Sequence, residues 1–295
     1  MNEQQLRGLF VPVVAPFLPD GELDLDSYRH YVGSLLKEDI QGIVVHGTTG
    51  ESPAVSWEEA RLLFDVAREA MGDAALPILI GTGTNDTRET VRRTEDARRF
   101  GADGALVVVP YYSRPTQAGI LEHFRHAAAA GLPVVVYEIP SRTGVRLTPE
   151  TAMSILSLDG VIGMKDSTGD IRLLRELNRL GNVKPVLCGD DSLLLPMLSE
   201  GSAGGILASA NAYTGRFLEV LSLMKENRTE DAAARFEELL PYIRLVFRES
   251  NPSPVKWLLA REGRIACDRT RLPLVGISEG LKLELEGYRS VLSGS

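Results

Sequence analysis

The chain has 295 residues, 44% hydrophobic, 24% charged and 6% aromatic, and 32 basic side chains against 40 acidic ones leave a net charge of −8. This is globular composition; it excludes a disordered or collagen-like chain and, with no basic block, argues against a nucleic-acid surface. No run of about 18 apolar residues is present to span a bilayer, Met1-Asn2-Glu3-Gln4 lacks the parts of a secretory signal, and Cys188 and Cys267 stand in no metal or redox spacing, so the expectation is a cytoplasmic protein.

Along the chain, short apolar runs recur at 9–14, 42–45, 77–81, 105–109, 133–137, 161–164, 185–188 and 205–208. They are near-continuous instead of alternating, the pattern of strands buried on both faces. Pro12 interrupts the first by removing a ladder donor. Helical segments lie between the runs. Ser56 with Glu59 predicts a capping box, and Ala60, Leu63, Phe64, Ala67 and Met71 follow at helical spacing. Asp86 with Glu89 repeats that pattern before Val91, and Thr148-Pro149 places a cap before a first-turn proline. Comparable segments follow Asp24, Thr116, Gly169, Asp191 and Asn211.

Eight strand-helix units predict a closed (β/α)8 barrel, since an open doubly wound sheet usually stops at about five or six strands. After residue 225 only helix is expected. The segment 229–248 carries Phe236, Leu240, Ile243 and Phe247 on one stripe with a kink at Pro241, and 255–261 and 278–292 are also helical. The division expected is a barrel over 1–225 and a helical appendage over 226–295.

Barrel active sites are built at strand C-termini and in the loops after them, and the unusual residues of this chain fall there. Lys165 closes the sixth run; partial burial there favours the neutral amine, which attacks a ketone to form a Schiff base. The competing reading is an ion pair with Asp166 or another carboxylate. Thr48 and Thr49 lie between glycines at a strand-to-helix turn, where free amides bind a carboxylate or phosphate; in an isolated turn such threonines simply bond the backbone. Tyr112 and Tyr137 can pass protons, and Arg142 has the fork that suits a substrate carboxylate, against readings as packing and a surface ion pair. His123 and His126 have metal spacing but no third ligand, and read as a solvated helix face. Gly81-Thr82-Gly83-Thr84 reads as an ordinary turn, and neither a Ser-His-Asp set nor a coupled carboxylate pair is apparent.

Gly47-Thr48-Thr49-Gly50-Glu51-Ser52, Pro110-Tyr111-Tyr112, Tyr137 to Gly144, Gly163-Met164-Lys165-Asp166, Gly189-Asp190-Asp191 and Asn251-Pro252-Ser253-Pro254-Val255-Lys256 follow one another as in a known family. Over essentially its full length the chain resembles the dihydrodipicolinate synthase and N-acetylneuraminate lyase superfamily. Ser141-Arg142-Thr143-Gly144 and the Tyr111-Tyr112 pair are similar to the synthase branch. That resemblance implies pyruvate and aspartate semialdehyde as substrates and Lys165 as the imine-forming residue. It implies Thr48, Thr49 and Ile206 around the pyruvate, Gly189 in the substrate site and a relay of Tyr137, Thr48 and Tyr112. Arg142 would orient the second carboxylate. Neither metal nor organic cofactor is implied, because the protonated imine is itself the electron sink. A homo-oligomer, commonly a dimer of dimers, would supply Tyr112 across an interface.

Two departures stand out. Glu138 replaces the Asn common after the catalytic tyrosine, so its carboxylate is expected near Arg142, which keeps open an aldolase or dehydratase of the same superfamily acting on a sugar-derived keto acid. In the effector site implied for lysine-inhibited members, Trp57 and Ala60 stand where histidines are usual, with Ser52, Asn85, Glu89 and Tyr111 completing the set; weak or absent lysine feedback follows. A barrel that binds pyruvate without turnover is the reading from another class, opposed by Lys165, Tyr137, Tyr112 and Thr48 occurring together.

Overall fold

A computed structural model describes residues 1–72 and 76–293, with side chains described as far as residue 289. The elements in chain order are β1 (Gly8–Pro12), α1 (Leu25–Leu35), β2 (Gly42–Val45), α2 (Trp57–Met71), β3 (Ile78–Gly81), α3 (Thr87–Arg99), β4 (Gly104–Val108) and α4 (Gln117–Ala129). They continue with β5 (Val134–Glu138), α5 (Pro140–Thr143), α6 (Pro149–Leu156), β6 (Val161–Asp166), α7 (Arg172–Arg179), β7 (Val186–Cys188), α8 (Leu194–Ser199) and β8 (Gly204–Ile206). Helices α9 (Thr214–Lys225), α10 (Thr229–Val246), α11 (Ser253–Arg261) and α12 (Glu279–Ser293) complete the chain.

The strands close in sequence order, β1 through β8, and β8 pairs back onto β1 in parallel with Phe10 beside Ile206. The open-sheet alternative is thereby excluded. Every apolar run forms a strand, with edges shifted by a few residues: β1 ends at Pro12, whose carbonyl accepts from Asn211 Nδ2 at 2.9 Å, and β6 runs on through Lys165 to Asp166.

The described residues group into two compact units, one over 1–10, 41–44 and 76–207 and the other over 11–40, 45–72 and 208–293. In the first, Phe10, Val44, Leu79, Leu106, Val135 and Leu187 form one buried cluster that also takes in Tyr137 and Ile206. The buried face of α3 is Thr90, Thr94 and Ala97, and Val91 is half-buried. Thr94 meets Thr82 at 2.9 Å and Thr90 meets Thr84 at 3.1 Å, so the Gly81-Thr82-Gly83-Thr84 segment is a hydroxyl-lined packing surface. Buried hydroxyls are tolerated because each finds a partner. Asp86 caps α3 through the Arg88 amide, but no capping box closes, because Arg92 and Arg93 take the Glu89 carboxylate at 2.7 and 2.6 Å.

In the second unit, Ser56 and Glu59 form the predicted capping box. Helix α10 continues through Pro241, and its buried stripe is Phe236, Leu239, Tyr242, Ile243 and Val246; Leu240 is half-buried and Phe247 exposed. The stripe is displaced because Tyr242 turns inward to donate to the Ser209 carbonyl at 2.7 Å.

Candidate active site

Parallel pairing of β5 with β6 sets Tyr137 beside Lys165 and, one residue on, Glu138 beside Asp166. Successive residues of a strand face opposite sides, so these two pairs occupy opposite faces of the sheet. Lys165 is buried, and its Nζ lies 4.2 Å from the centroid of the Tyr137 ring, within cation–π range. Among the described residues no carboxylate pairs with it. The ion-pair reading with Asp166 therefore fails: Asp166 turns away and accepts from the Thr168 amide at 2.9 Å. Gly189 supports the lysine by what it lacks. A Cβ there would lie 2.6 Å from Lys165 Cε and 2.2 Å from Ser167 Oγ, so the lysine stem occupies the space a side chain would need.

Behind this pair sits a feature the sequence did not disclose. Glu138 and Asp166 are both buried, no cation pairs with either among the described residues, and each keeps one oxygen without a hydrogen bond. Burial, together with the nearby Asp166 and against the Leu147 amide, raises the Glu138 pKa to about 7. Burial likewise raises Asp166 to about 6, against its hydrogen bonds to Thr168. A carboxylate pair that is not apparent in the sequence is therefore present, because strand register decides it. Glu138 does not compete for Arg142; its Oε1 accepts from the Leu147 amide at 2.9 Å. The argument that Glu138 favours a different acceptor loses its physical basis.

In the second unit, the turn after β2 is drawn tight by Gly50 N–H and Ser52 N–H donating to the Gly47 carbonyl at 3.0 and 3.3 Å. The amides of Thr48 and Thr49 have no acceptor among the described residues, as an anion-binding turn requires. Thr49 Oγ1 accepts from Asn251 Nδ2 at 3.0 Å. Glu51, at φ 53°, meets Lys256 Nζ at 2.7 Å in a fully buried ion pair, and Lys256 also donates to the Ala15 carbonyl at 2.8 Å. In the sequence, the Asn251 to Lys256 motif carries the family resemblance and no assigned role. A lysine among the apolar residues of α11 was the available signal.

The remaining candidates differ in exposure. Arg142 is exposed on α5, with no carboxylate partner among the described residues. Ile206 is fully buried at the end of β8. Tyr112 is 88% exposed with φ 71°, a left-handed conformation that a bulky residue rarely adopts. His123 departs from the solvated reading: it is buried, its Nδ1 is 3.0 Å from Thr87 Oγ1, and burial lowers its pKa to about 4, while His126 is exposed. No group of three potential metal ligands occurs among the described residues.

Residues 5–289 match the model of the dihydrodipicolinate synthetase family. The chain belongs to this family. It is similar to the 4-hydroxy-tetrahydrodipicolinate synthase of Synechococcus sp. (strain JA-2-3B'a(2-13)), 39% identical with 95% of this chain and 90% of the relative covered. It is also similar to 4-hydroxy-tetrahydrodipicolinate synthase 2 of Clostridium acetobutylicum, at 36% with 96% and 99% covered. Among solved structures, dihydrodipicolinate synthase from Thermotoga maritima superposes with a TM-score of 0.94 at 34% identity, covering 98% of this chain and 99% of that one. The chloride-inhibited Acinetobacter baumannii enzyme complexed with pyruvate superposes at 0.92 and 33%, covering 97% and 98%. The family, the barrel and an enzymatic role, all expected from the sequence, stand.

Of the residues expected at an effector site, three lie in the second unit. Trp57 and Ala60 are buried on α2, with Trp57 edge-on to His46 at 5.8 Å, and Ser52 is half-buried. In the other unit Asn85 is exposed, Tyr111 is 38% exposed, and Glu89, bound by Arg92 and Arg93, has its pKa lowered to about 2.

Gly189→Ala displaces the Lys165 stem; activity is expected to fall by about tenfold or more, since small misplacements of a reacting group are costly, while the circular dichroism spectrum stays that of the wild type. For Glu138 and Asp166, pKa values above the ordinary carboxylate range mean that the folded state binds more protons between about pH 4 and pH 7. Their contribution is therefore most favourable at low pH and is lost as pH rises through about 6 and 7. Glu138→Gln keeps the acceptor for Leu147 and removes one titration. Denaturation from pH 5 to pH 8 is expected to show a shallower loss of stability in this variant, by on the order of 2 kcal/mol across the range. An unchanged slope would contradict the assignment.

Proposed function

We propose that the chain condenses pyruvate with L-aspartate 4-semialdehyde to give 4-hydroxy-tetrahydrodipicolinate, on the route to diaminopimelate and lysine. The observation that carries this reading is the buried Lys165 amine, 4.2 Å from the Tyr137 ring and paired with no carboxylate among the described residues. An amine held this way in a family of pyruvate-dependent synthases is suited to attack a ketone. Lys165 Nζ adds to C2 of pyruvate and water leaves, forming the protonated imine. Loss of a C3 proton gives the enamine, C3 attacks the aldehyde carbon, and the substrate's own amine displaces Lys165 as the ring closes.

The other residues take supporting roles. Thr48 and Thr49, with their unengaged amides, hold the pyruvate carboxylate, and Ile206 and Gly189 bound the substrate. Tyr137, Thr48 and Tyr112 relay protons. Exposed, unpaired Arg142 orients the carboxylate of the aldehyde. The exposure of Tyr112 in a left-handed conformation supports its insertion into a second copy of the chain, so the working form is a homo-oligomer, as a dimer of dimers. One solved relative, at 34% identity and a TM-score of 0.93, is a monomeric dihydrodipicolinate synthase variant. No helix among the described residues is long and apolar enough to cross a membrane, and free Cys188 and Cys267 suit a cytoplasmic location. Ala60, which removes a polar contact from the effector set, supports weak or absent feedback by lysine.

The test is turnover with both substrates, coupled to a reductase that consumes the cyclic product. Product formation is expected in the wild type, with a loss of at least about a thousandfold in Lys165→Ala. Borohydride with pyruvate should add mass at Lys165 in the wild type alone. Full turnover by Lys165→Ala would overturn the imine mechanism. In the same assay, millimolar lysine is expected to leave the rate within twofold of its uninhibited value, and strong inhibition would refute the feedback reading.

A further inference from the structure

The mechanism gives no role to Asn251, although its side chain reaches the turn that carries Thr48 and Thr49. Asn251 Nδ2 donates to Thr49 Oγ1 at 3.0 Å, and both residues are buried. A hydroxyl carries one hydrogen and two acceptor lone pairs. With one lone pair occupied by Asn251, the Thr49 O–H has no acceptor of its own among the described residues, and neither has the Thr49 amide. Thr49 is thus left as a double donor, one N–H and one O–H, which is the complement of a carboxylate. A threonine without that amide would be free to turn its O–H onto a backbone carbonyl, the habit of such residues in turns.

The same short segment holds the turn at a second point. Lys256, five residues beyond Asn251, forms the buried ion pair with Glu51, two residues beyond Thr49. Glu51 Oε2 accepts in addition from the Arg271 amide at 3.0 Å. Removing either charge would leave the other buried and uncompensated, so this pair anchors the turn, while the Asn251 bond sets the direction of one hydroxyl.

We propose that Asn251 is a positioning residue for substrate binding: its amide orients the Thr49 hydroxyl to donate to the carboxylate of the keto acid. The proposal rests on the reading above that this turn receives pyruvate.

The experiment measures, in the full-length protein, the pyruvate concentration that half-saturates borohydride trapping at Lys165, alongside kcat at saturating pyruvate and the melting temperature. Asn251→Ala is expected to raise the half-saturating concentration about tenfold, the effect of losing one well-made hydrogen bond, with kcat within about twofold of the wild type. Thr49→Val should raise it similarly, and Thr49→Ser, which keeps the hydroxyl, should stay near the wild type. In the Thr49→Val background, Asn251→Ala should add nothing further, because its only route to the substrate is gone. Additive effects in the double variant, or an unchanged half-saturation in Asn251→Ala, would overturn the proposal. If Asn251→Ala does not fold, Asn251→Ser carries the same comparison with a shorter donor. Failure of the wild type to trap pyruvate would instead overturn the imine reading and this proposal with it, so the two failures are distinguishable.

Discussion

Parallel register between β5 and β6 is the constraint on which the surroundings of Lys165 depend. Because Tyr137 pairs with Lys165, a phenol and an amine meet on one face with no intervening loop to position them. The same register forces Glu138 beside Asp166 on the opposite face. A shift of one residue in β6 would exchange its two faces and move Lys165 off the face that holds Tyr137. The lysine beside Tyr137 and the buried acid pair are therefore two consequences of one alignment.

That alignment explains how a buried amine is left without a counter-ion. Asp166 is the nearest carboxylate in sequence, yet the strand geometry sends it away and the Thr168 amide engages it. Lysine exploits the remaining space: the missing side chain of Gly189 admits its stem, and the Tyr137 ring offers an electron-rich face in place of a carboxylate. The cost appears on the other face, where two carboxyls without a cation are driven toward their protonated forms. Protonation avoids burying two like charges side by side.

In the second unit the logic is reversed, and a buried charge is fully matched. Lys256 and Glu51 are both 0% exposed, and the ammonium also reaches the Ala15 carbonyl and lies 4.1 Å from the Phe17 ring. Burial draws the Lys256 pKa downward, and the Glu51 carboxylate opposes that. Such a pair is rarely worth more than an apolar replacement of the same size, but it is intolerant of misplacement. Its value here is geometric: it holds the turn beside α11, within reach of Asn251.

Local chemistry sets the alternation of eight buried strands with helices, because apolar continuity and capping depend on neighbouring residues. Lys165, Tyr137 and the Thr48-Thr49 turn were legible for the same reason: each is an unusual residue at the end of an apolar run. What a side chain faces is a different kind of information. Whether Lys165 has a counter-ion, that Glu138 lies by Asp166 and not by Arg142, that His123 is buried, and that Asn251 reaches Thr49 across 202 positions of chain were decided only by the tertiary structure. Register and long-range packing set these relations, and they depend on pairs of segments that neither segment encodes alone.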